Sequence, residues 1–566
     1  MKRPILRARS LCVGLGLLLV GTINLGAAEH DGHKHHDMKL VGTNDLQARS
    51  TYQPTLHKYG PEQYFLFTGH HALDINSVTG QQLPSFNHLT GKYEPNGTSI
   101  VDVSNPRHPK LVAHIPVGAS VSAPPVPTNG GAQMVRVCDG IGANTGKVFM
   151  LRSYANAAHE IWNVTNPASP VGVRTVAGGN PVIGADTGMP GALAGTHKSW
   201  WECDTGIAYI VGRRGNDTTD GWQPGNHIFI FDLSEPANPV FLRDWALDGQ
   251  QPGGAIPPHF TAVPSIHGPI STGRSTSAPL YPAFAVTNPI DGTGATLDRV
   301  YFAYGTGSNG VMQVVDRTKL LPPPWGMGIK CGSAASSLTP PACNALTGEF
   351  TTAEIGRLIM NPDNGAHTSF PIGRITVPDF VTDTGNDDAN TTRDVVVVVS
   401  EATAHFCSEF RHLTFLTDVS DRPGVPGAAG RPQVISTAQV PASEGAFCDK
   451  GGRFGPHATN EEFGPPFYQK LVFISYFNAG VRAFDVRDPY TPDNIAFFIP
   501  AVTGNTDLRC GTYQGVANVC RQVIQTNNVA TDDRGCIYIV DRANTGLHVL
   551  ELQGDVKKII GKVDCR

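Results

Sequence analysis

The sequence predicts an all-β protein, a seven-bladed β-propeller built from four-stranded antiparallel blades. Three observations support this fold class, and the first is composition. There are 63 Gly and 44 Pro among 566 residues, and only 16% of the residues are charged. Long amphipathic helices need runs free of Gly and Pro and usually carry more Lys and Glu. The 40% hydrophobic content is enough to bury a large core, which argues against disorder.

The second observation is a repeated phrase, in which an apolar run is followed by an acidic residue or Asn, a turn and a Pro. The clear copies are IVDVSNPRHP (100–109), IWNVTNPASP (161–170), IFDLSEPANP (230–239), FLTDVSDRPGVP (415–426) and AFDVRDPYTP (483–492). Weaker copies are QVVDRTKLLP (313–322) and VLELQGD (549–555). Asp-Pro and Asn-Pro pairs favour turns, so each copy predicts a strand that ends in a turn.

The third observation is that each copy lies between two other strand-like runs. Seven very apolar runs are centred on residues 66, 149, 209, 302, 397, 473 and 538. A further run follows each copy, and the last of these is VKKIIGKV at the C terminus. This predicts seven units with the order inner strand, apolar strand, acid-turn strand and outer strand. Two stacked β-sandwiches are the alternative, but they do not require a matching phrase in every unit.

Residues 1–28 at the N terminus have the pattern of a secretory signal. Four basic residues lie in the first nine positions, an apolar run covers residues 11–21, and small residues follow at 26–28. An uncleaved anchor is the alternative, but the run is shorter than the roughly 20 residues that a membrane span needs. We therefore expect a signal (1–28), a His-rich flexible tail (29–50) and a single propeller domain (51–566), located in the periplasm or secreted, with no membrane span after cleavage.

Charge and cysteine content fit an exported protein. Loss of the signal removes four basic residues and no acidic ones, which changes the formal net charge from −5 to −9. Nucleic acid is therefore not an expected partner. Ten cysteines remain once Cys12 is removed, and an even number in an oxidising compartment indicates disulfides. No CxxC or CxxCH motif is present, so a zinc ribbon or c-type haem has no support.

The cysteine positions suggest a pairing within or between neighbouring blades. The hypothesis is Cys138–Cys203, Cys331–Cys343, Cys407–Cys448, Cys510–Cys520 and Cys536–Cys565. For Cys407 there is an alternative, because His405 and His412 beside it could form a copper–thiolate cluster with its sulfur.

Histidine stands at the start of the inner strand in four consecutive units. These residues are His197, His267, His367 and His457, in blades 3 to 6. Inner strands line the central channel of a propeller and begin at one mouth, so the four imidazoles are expected to converge. Neutral imidazoles suit copper, zinc, iron or nickel, and the alternative is a set of hydrogen bonds that holds the ring together. At this position blade 1 offers His57, blade 2 approaches Cys138, and blade 7 has residues 526–528.

The loops between the second and third strands open at the same mouth and carry further candidates. Those for substrate binding are Arg152, Arg213, Arg214, His405 and Arg542, because Arg suits anionic ligands. Glu401 and His159 are the candidates for proton transfer, and Glu401 is also a candidate metal ligand. Salt bridges between blades are the alternative role for each arginine.

A GxGxxG match at residues 305–310 does not predict a dinucleotide site. Such a site needs a helix after the glycines, whereas the strand-like run VMQVVD follows here. The match is interpreted as a tight loop between strands. No GxSxG, Walker or HExxH motif is present, so the corresponding hydrolase and nucleotide-binding classes lose their usual support.

The repeated phrase resembles the strand motif of the LVIVD-repeat family of exported β-propeller proteins, as in IVDVSNP (100–106) and AFDVRDP (483–489). The resemblance extends over nearly the whole mature chain and implies the fold, whereas many members of that family have no assigned reaction. The architecture and His-rich centre are also similar to two kinds of seven-bladed copper propeller. These are thiocyanate dehydrogenase and methanethiol oxidase of the selenium-binding-protein type, with which no motif matches residue by residue.

Two functions from different classes follow. The first is a copper-dependent oxidoreductase acting on a small anionic or sulfur-containing substrate, with a periplasmic electron acceptor as its partner; zinc, iron and calcium are the alternative metals. The second is a non-catalytic periplasmic propeller that binds a ligand or another protein. A calcium-dependent, lactonase-like hydrolase is a third hypothesis, but its channel would need several Asp, Glu and Asn ligands where histidine dominates.

Overall fold

Seven antiparallel sheets form the blades of a propeller in the computed structural model of the protein, which confirms the predicted fold class. The structure describes residues 28–30, 32–71, 84–118, 131–176, 193–214, 222–251, 254–256, 258, 260, 262–274, 298–324, 326, 353–377, 392–420 and 432–566. In blades 1 to 5 the first strand of the blade lies innermost and the later strands follow outward.

The first three blades follow the predicted order. Blade 1 contains β4 (Thr51–Gly60), β5 (Gln63–His70), β8 (Gly97–Asp102) and β9 (Lys110–Pro116), with the hairpin β6 (Ser85–Asn87) and β7 (Lys92–Glu94) inserted. Blade 2 contains β10 (Val135–Asp139), β11 (Val148–Tyr154), β12 (Ala158–Asn163) and β13 (Val171–Val176). Blade 3 contains β15 (Ser199–Trp201), β16 (Ile207–Arg214), β17 (His227–Asp232) and β18 (Val240–Trp245), and β14 (Leu193–Ala194) also pairs with β16.

The last four blades keep the same plan. Blade 4 contains β19 (Ile266–Ser271), β20 (Arg299–Tyr304), β21 (Val311–Asp316) and β22 (Glu354–Ile359). Blade 5 contains β23 (Thr368–Thr376), β24 (Thr392–Val399), β25 (Thr414–Asp418) and β26 (Gln433–Ala438). Blade 6 contains β27 (Leu471–Ser475), β28 (Val481–Asp485) and β29 (Asp493–Ile499), and blade 7 contains β32 (Thr526–Thr531), β33 (Cys536–Asp541) and β34 (Leu547–Leu552). The hairpin β30 (Leu508–Tyr513) and β31 (Val516–Gln522) lies between these two blades.

In the described part of the chain, helical structure is limited to short segments. These are the α-helices α1 (Arg317–Leu320) and α2 (Lys557–Ile560) and the 3-10 turns at Leu46–Ala48, Gly142–Asn144 and Ala442–Glu444. Residues 305–310 connect the antiparallel strands β20 and β21, as the loop interpretation of the GxGxxG match predicts. No helix among the described residues is long and apolar enough to cross a bilayer, and residues 1–27 of the predicted signal lie outside that part of the chain.

The blades pack face to face, so their middle strands are apolar on both sides. In β24 the run Val395–Val399 is buried throughout, which explains why the second strand of each unit is a continuous apolar run rather than an alternating one. Between blades 3 and 4, the Trp245 ring stacks on Phe302 and its indole N–H donates to Gln313 Oε1 at 3.1 Å. One hydrophobic cluster continues in this way through blades 3 to 6.

The N-terminal segment closes the ring instead of forming a flexible tail. Strand β3 (Met38–Asn44) pairs with β34 and is the outer strand of blade 7, while β2 (His33–His36) pairs with β29 of blade 6 and β1 (Ala28–His30) pairs with β2. The expectation that VKKIIGKV forms the outer strand of blade 7 is wrong. Because β3 already covers that edge of the blade, residues Lys557–Ile560 form α2 and pack on the cluster between blades 6 and 7.

Four predicted disulfides are present in the described residues. They are Cys138–Cys203, Cys407–Cys448, Cys510–Cys520 and Cys536–Cys565. The alternative in which Cys407 contributes a thiolate to a copper site is therefore not supported, because its sulfur is bonded to Cys448. The remaining predicted pair, Cys331 with Cys343, lies outside the described residues.

Ring closure makes a prediction about stability. Met38 in β3 is fully buried between blades 6 and 7, so Met38→Ala should lower the free energy of unfolding by about 2–5 kcal/mol in guanidinium denaturation. The adjacent Lys39 is half exposed in an ion pair with Glu551, and Lys39→Ala is the control, with an expected loss below about 1 kcal/mol. Equal and small effects of both substitutions would show that the segment is a loose tail.

Candidate metal centre

Backbone irregularities at the start of the inner strands direct side chains into the channel. In β19 the ladder register slips between Ile266 and Gly268, which leaves His267 as the extra residue. In β32 the same slip leaves Asn527 as the extra residue. A bulge of this kind bends the strand locally and re-aims the side chain, and such bulges occur often beside active sites.

The other three histidines sit where an inner strand begins. His367 immediately precedes β23 and donates its backbone N–H to Val399 O at 2.7 Å. His457 opens a short segment whose backbone bonds to β27, with His457 N donating to Ser475 O at 2.9 Å, and this segment takes the innermost position of blade 6. His197 lies two residues before β15. All four predicted histidines therefore occupy equivalent places in blades 3 to 6.

The four imidazoles form a continuous group at the channel mouth. The Nε2 atoms of His197 and His267 are 3.0 Å apart. The ring centroids of His267 and His367 are 3.8 Å apart, and those of His367 and His457 are 4.2 Å apart. The predicted convergence of these side chains is thus present in the structure.

Backbone carbonyl groups determine the tautomer of two of these rings. The Nδ1 atom of His267 lies 3.0 Å from His367 O, and that of His457 lies 2.6 Å from Asn527 O. A carbonyl oxygen only accepts, so each Nδ1 carries the proton and donates it. The Nε2 atom of each ring then presents a lone pair, which is the arrangement that carbonyl groups impose on metal-binding histidines.

Burial keeps all four imidazoles neutral. It lowers the pKa of His197 to about 3, and it holds the pKa values of the other three well below the ordinary 6.5. The positive charge that each ring would carry repels its neighbours, which lowers the pKa of His267 and His367 further. Neutral imidazole is the form that binds a metal ion.

Glu401 brings a carboxylate to the same group from the loop after β24. Its Oε2 atom is 3.9 Å from His367 Nε2, and its Oε1 atom is 3.6 Å from His457 Nε2. Arg453 donates from Nη1 to Oε1 at 2.7 Å, which holds the carboxylate in place. One ligand atom each from His267, His367 and Glu401 lie within 4.8 Å of one another.

Two aromatic side chains at the centre were not found from the sequence. Tyr52, from the start of β4, places its hydroxyl 3.1 Å from His197 Nε2 and 3.2 Å from His367 Nε2. His71, at the end of blade 1's second strand, packs edge-on against Tyr52 with ring centroids 5.2 Å apart. His57, the sequence candidate in blade 1, lies further along β4 and pairs with Asp139 at 3.0 Å. Tyr52 therefore fills the position that His57 was expected to take.

The donor set fits a transition-metal ion. Two nitrogen ligands about 2.0–2.1 Å from one ion lie about 2.9–3.4 Å apart at angles of about 90–109°. The 3.0 Å separation of His197 and His267 falls in that range. The buried Nε2 atom of His457 makes no hydrogen bond in the described structure, although buried polar atoms normally have a partner. A nitrogen-rich set with one carboxylate suits copper, zinc or iron better than calcium.

A buried ion cluster crosses the channel below the histidines. Lys198 of blade 3 donates to Glu461 Oε1 at 3.0 Å, and Arg136 of blade 2 bonds to Glu461 Oε2 from the other side. Both cations lower the pKa of Glu461, to about 2, so the carboxylate stays ionised although burial opposes this. Blade 6 lies across the ring from blades 2 and 3, so the Lys198–Glu461–Arg136 cluster spans the channel. The histidine group lies on the mouth side of this cluster, where the inner strands begin.

Three arginines and a histidine surround that mouth. Arg542 is half-buried, and burial with the nearby Arg453 and Arg509 guanidinium groups lowers its pKa to about 9. Arg509 lies in the disulfide-bonded hairpin β30–β31 and donates to Asp507 Oδ2 at 2.8 Å. His405 Nδ1 donates to Cys510 O at 2.6 Å and so ties the blade 5 loop to this hairpin. Of the predicted mouth residues, Arg542 lies within electrostatic range of Glu401, and His405 lies within electrostatic range of Arg453, Arg509 and Arg542.

Of the other sequence candidates, His159 lies within electrostatic range of His197. Arg152 is fully buried in an ion pair with Glu160 (Nη2···Oε2 2.8 Å) and donates to Ile115 O, which gives it a structural role between blades 1 and 2. His159 is buried with Nε2 3.4 Å from Val211 O, and burial lowers its pKa to about 4. Arg213 is exposed at the end of β16. Arg214 is the last residue of that strand, and the prediction for its side chain lies outside the described structure.

Comparisons with known proteins support no family assignment. No protein-family model and no curated protein matches the chain. The β-propeller domain of Cps50 (Swd1) from Myceliophteria thermophila matches with a TM-score of 0.43 and 7% identity, over 91% of this chain and 100% of that one. Sqt1 of Chaetomium thermophilum, bound to the N-terminus of ribosomal protein L10, gives 0.39 and 9%, over 91% and 99%. A hypothetical selenium-binding protein from Sulfolobus tokodaii gives 0.40 and 11%, over 79% and 78%. At these values the likenesses carry no argument about activity or ligands.

The ion cluster below the histidines makes a prediction about stability. Glu461→Gln leaves the Lys198 and Arg136 charges buried without their carboxylate, and should cost about 3–5 kcal/mol of unfolding free energy in urea or guanidinium. Glu462→Gln is the matched control. Burial and the charge of Glu461 raise the pKa of Glu462 to about 7, so a neutral isostere should not lower stability at or below that pH. Equal losses in both variants would contradict this account of the cluster.

Proposed function

We propose that this protein is an exported metalloprotein that binds copper at its channel mouth and oxidises a small anionic or sulfur-containing substrate. The observation that carries this proposal is the convergence of His267, His367 and Glu401, whose ligand atoms lie within 4.8 Å of one another. His197 and His457 extend the set to four imidazoles. Copper is preferred because it binds nitrogen-rich sites most tightly among the divalent first-row metals.

The donor atoms are arranged for binding before any ion arrives. The Nδ1–H groups of His267 and His457 are engaged by backbone carbonyls, so neither ring has to change tautomer to present Nε2. Arg453 restrains Glu401 in the same way. A bound copper ion would supply one-electron redox chemistry, which none of these side chains provides alone.

The surrounding residues favour a small anion as substrate. Arg542 lies within electrostatic range of Glu401 and Tyr52, and its guanidinium adds positive charge at the mouth beyond that balanced by the Arg453–Glu401 and Arg509–Asp507 pairs. A guanidinium in this place can orient a carboxylate, sulfate or thiocyanate. Glu401 is the candidate proton acceptor, since its carboxylate lies at the histidine group. The Lys198–Glu461–Arg136 cluster keeps the substrate to one side of the channel.

Export is supported by two independent features. Residues 1–28 have the pattern of a secretory signal, and four disulfides in the described residues fit an oxidising compartment. The similarity of the repeat to the LVIVD family, whose members are exported propellers, agrees with this location. A periplasmic electron acceptor is the partner that such an oxidoreductase would need.

The metal content of the purified protein tests the proposal. Protein recovered from the periplasm after copper supplementation should contain about one equivalent of copper or more by elemental analysis. His267→Ala combined with His367→Ala should lose that copper, because two converging ligands are removed. Two controls should retain it: His57→Ala, and a variant with Ala at His33, His35 and His36, which removes the outer-strand histidines.

The controls also define what would contradict the proposal. Copper below about 0.2 equivalents in the supplemented wild type would leave a non-catalytic binding propeller as the better function. Copper that survives the double His267/His367 variant but is lost from the His33/His35/His36 variant would place the metal on the outer strand of blade 6.

The anion hypothesis has its own test. In copper-loaded protein, Arg542→Gln should weaken the binding of thiocyanate, used as a probe, by about ten- to hundredfold, as expected for one charge-assisted hydrogen bond. Binding is followed through the change in the copper absorption spectrum. Arg107→Gln, an exposed change in the turn between β8 and β9, is the control and should bind the probe like the wild type. If both variants bind thiocyanate with equal affinity, Arg542 does not take part in anion binding.

A further inference from the structure

We propose that the Tyr52 phenol oxygen is itself a ligand of the channel metal, contributed by blade 1 to the group that blades 3 to 6 build from histidine. This inference rests on the metal site proposed above and names an oxygen donor that the histidine pattern does not contain.

The contacts of the hydroxyl support this role. It lies 3.1 Å from His197 Nε2 and 3.2 Å from His367 Nε2, in two different blades. Because blades 1 and 5 stand across the ring from each other, the phenol reaches the centre of the channel. A hydroxyl has one proton and can donate it to only one of these nitrogens. An oxygen that faces two imidazole nitrogens in this way is in the position expected for a third ligand of the same metal ion.

The backbone presents Tyr52 as it presents the histidines. The register of β4 slips between Thr51 and Pro54, so this strand carries an irregularity at its start like those beside His267 in β19 and Asn527 in β32. Tyr52 is thus the blade 1 member of a ring of inward-facing side chains, one from each of several blades. A core tyrosine would instead point between two blades.

The ring of Tyr52 is held in this orientation by its neighbours. His71 and His457 each pack edge-on against it, with centroids 5.2 Å and 5.6 Å away, and the side chain is almost fully buried. Burial raises the pKa of the phenol well above its ordinary 10. Ligation replaces the O–H bond with an oxygen–metal bond and releases the proton to water, with no change of oxidation state.

The experiment uses the full-length protein loaded with Cu(II) alone. Wild type, Tyr52→Phe and Tyr476→Phe are compared for copper content by elemental analysis and for the visible absorption band that a phenolate–Cu(II) bond produces. Tyr476 is the matched control, because it is a buried tyrosine whose hydroxyl bonds to Ala438 O rather than to the histidines. Wild type and Tyr476→Phe should show the band, and Tyr52→Phe should lack it while still binding copper.

The outcomes separate this inference from the metal site itself. Copper bound by the wild type without a phenolate band, or a band that persists in Tyr52→Phe, would overturn the assignment of Tyr52 and leave the histidine site standing. No copper in the wild type would overturn the metal site, and the inference with it. Should Tyr52→Phe fail to fold, resonance Raman of the wild type and of Tyr476→Phe is used instead: absence of enhanced phenolate ring modes in the wild type overturns the assignment, and modes that persist in Tyr476→Phe support it.

Discussion

Closure of the sheet ring is the constraint on which the site depends. Strand β3, from the N terminus, pairs with β34 near the C terminus and completes blade 7. Only in a closed ring do the inner strands start at the same mouth. Residues 70 and 100 positions apart in the sequence, such as His197 with His267 and His267 with His367, then come within contact distance. The histidine group at the channel mouth thus depends on β3, an edge strand on the outside of blade 7.

The buried polar side chains at the centre of the ring are stabilised by ion pairs and by the neutral state of the imidazoles, rather than by contact with water. Each buried imidazole stays neutral, which avoids the cost of several like charges in one place. The Glu401 carboxylate accepts a hydrogen bond from Arg453, and the cations Lys198 and Arg136 lower the pKa of Glu461 to about 2, so that carboxylate remains ionised. The buried His457 Nε2 atom makes no hydrogen bond in the described structure and lies 3.6 Å from Glu401 Oε1. This arrangement is costly for a protein that only needs to be stable, and it suits one that binds an ion.

Much of the fold and part of the site could be predicted from the sequence. The repeated phrase aligned the seven units, and that alignment identified four equivalent histidines without any structure. Tyr52 could not be found in the same way, because an aromatic residue in a strand usually indicates core packing, and only the irregular start of β4 turns it inward. Arg453, which lies in the segment leading into blade 6, could not be paired with Glu401 without the fold.

Two differences between the sequence predictions and the structure have a common physical origin. VKKIIGKV has the composition of a strand, but a strand needs a free edge, and β3 already occupies that edge of blade 7. Arg152 stands beside a loop of the correct mouth, yet its side chain turns between blades and pairs with Glu160. Sequence patterns indicate which residues take equivalent positions in successive blades. The partner of a strand and the direction of a side chain also depend on the strands and side chains that lie beside them in the folded ring.

Anomalous X-ray scattering from crystals of the copper-loaded protein tests the central claim most directly. We predict a copper peak within bonding distance of His267 Nε2, His367 Nε2 and the Glu401 carboxylate. A peak on the histidines of β2 with none in the channel would contradict it.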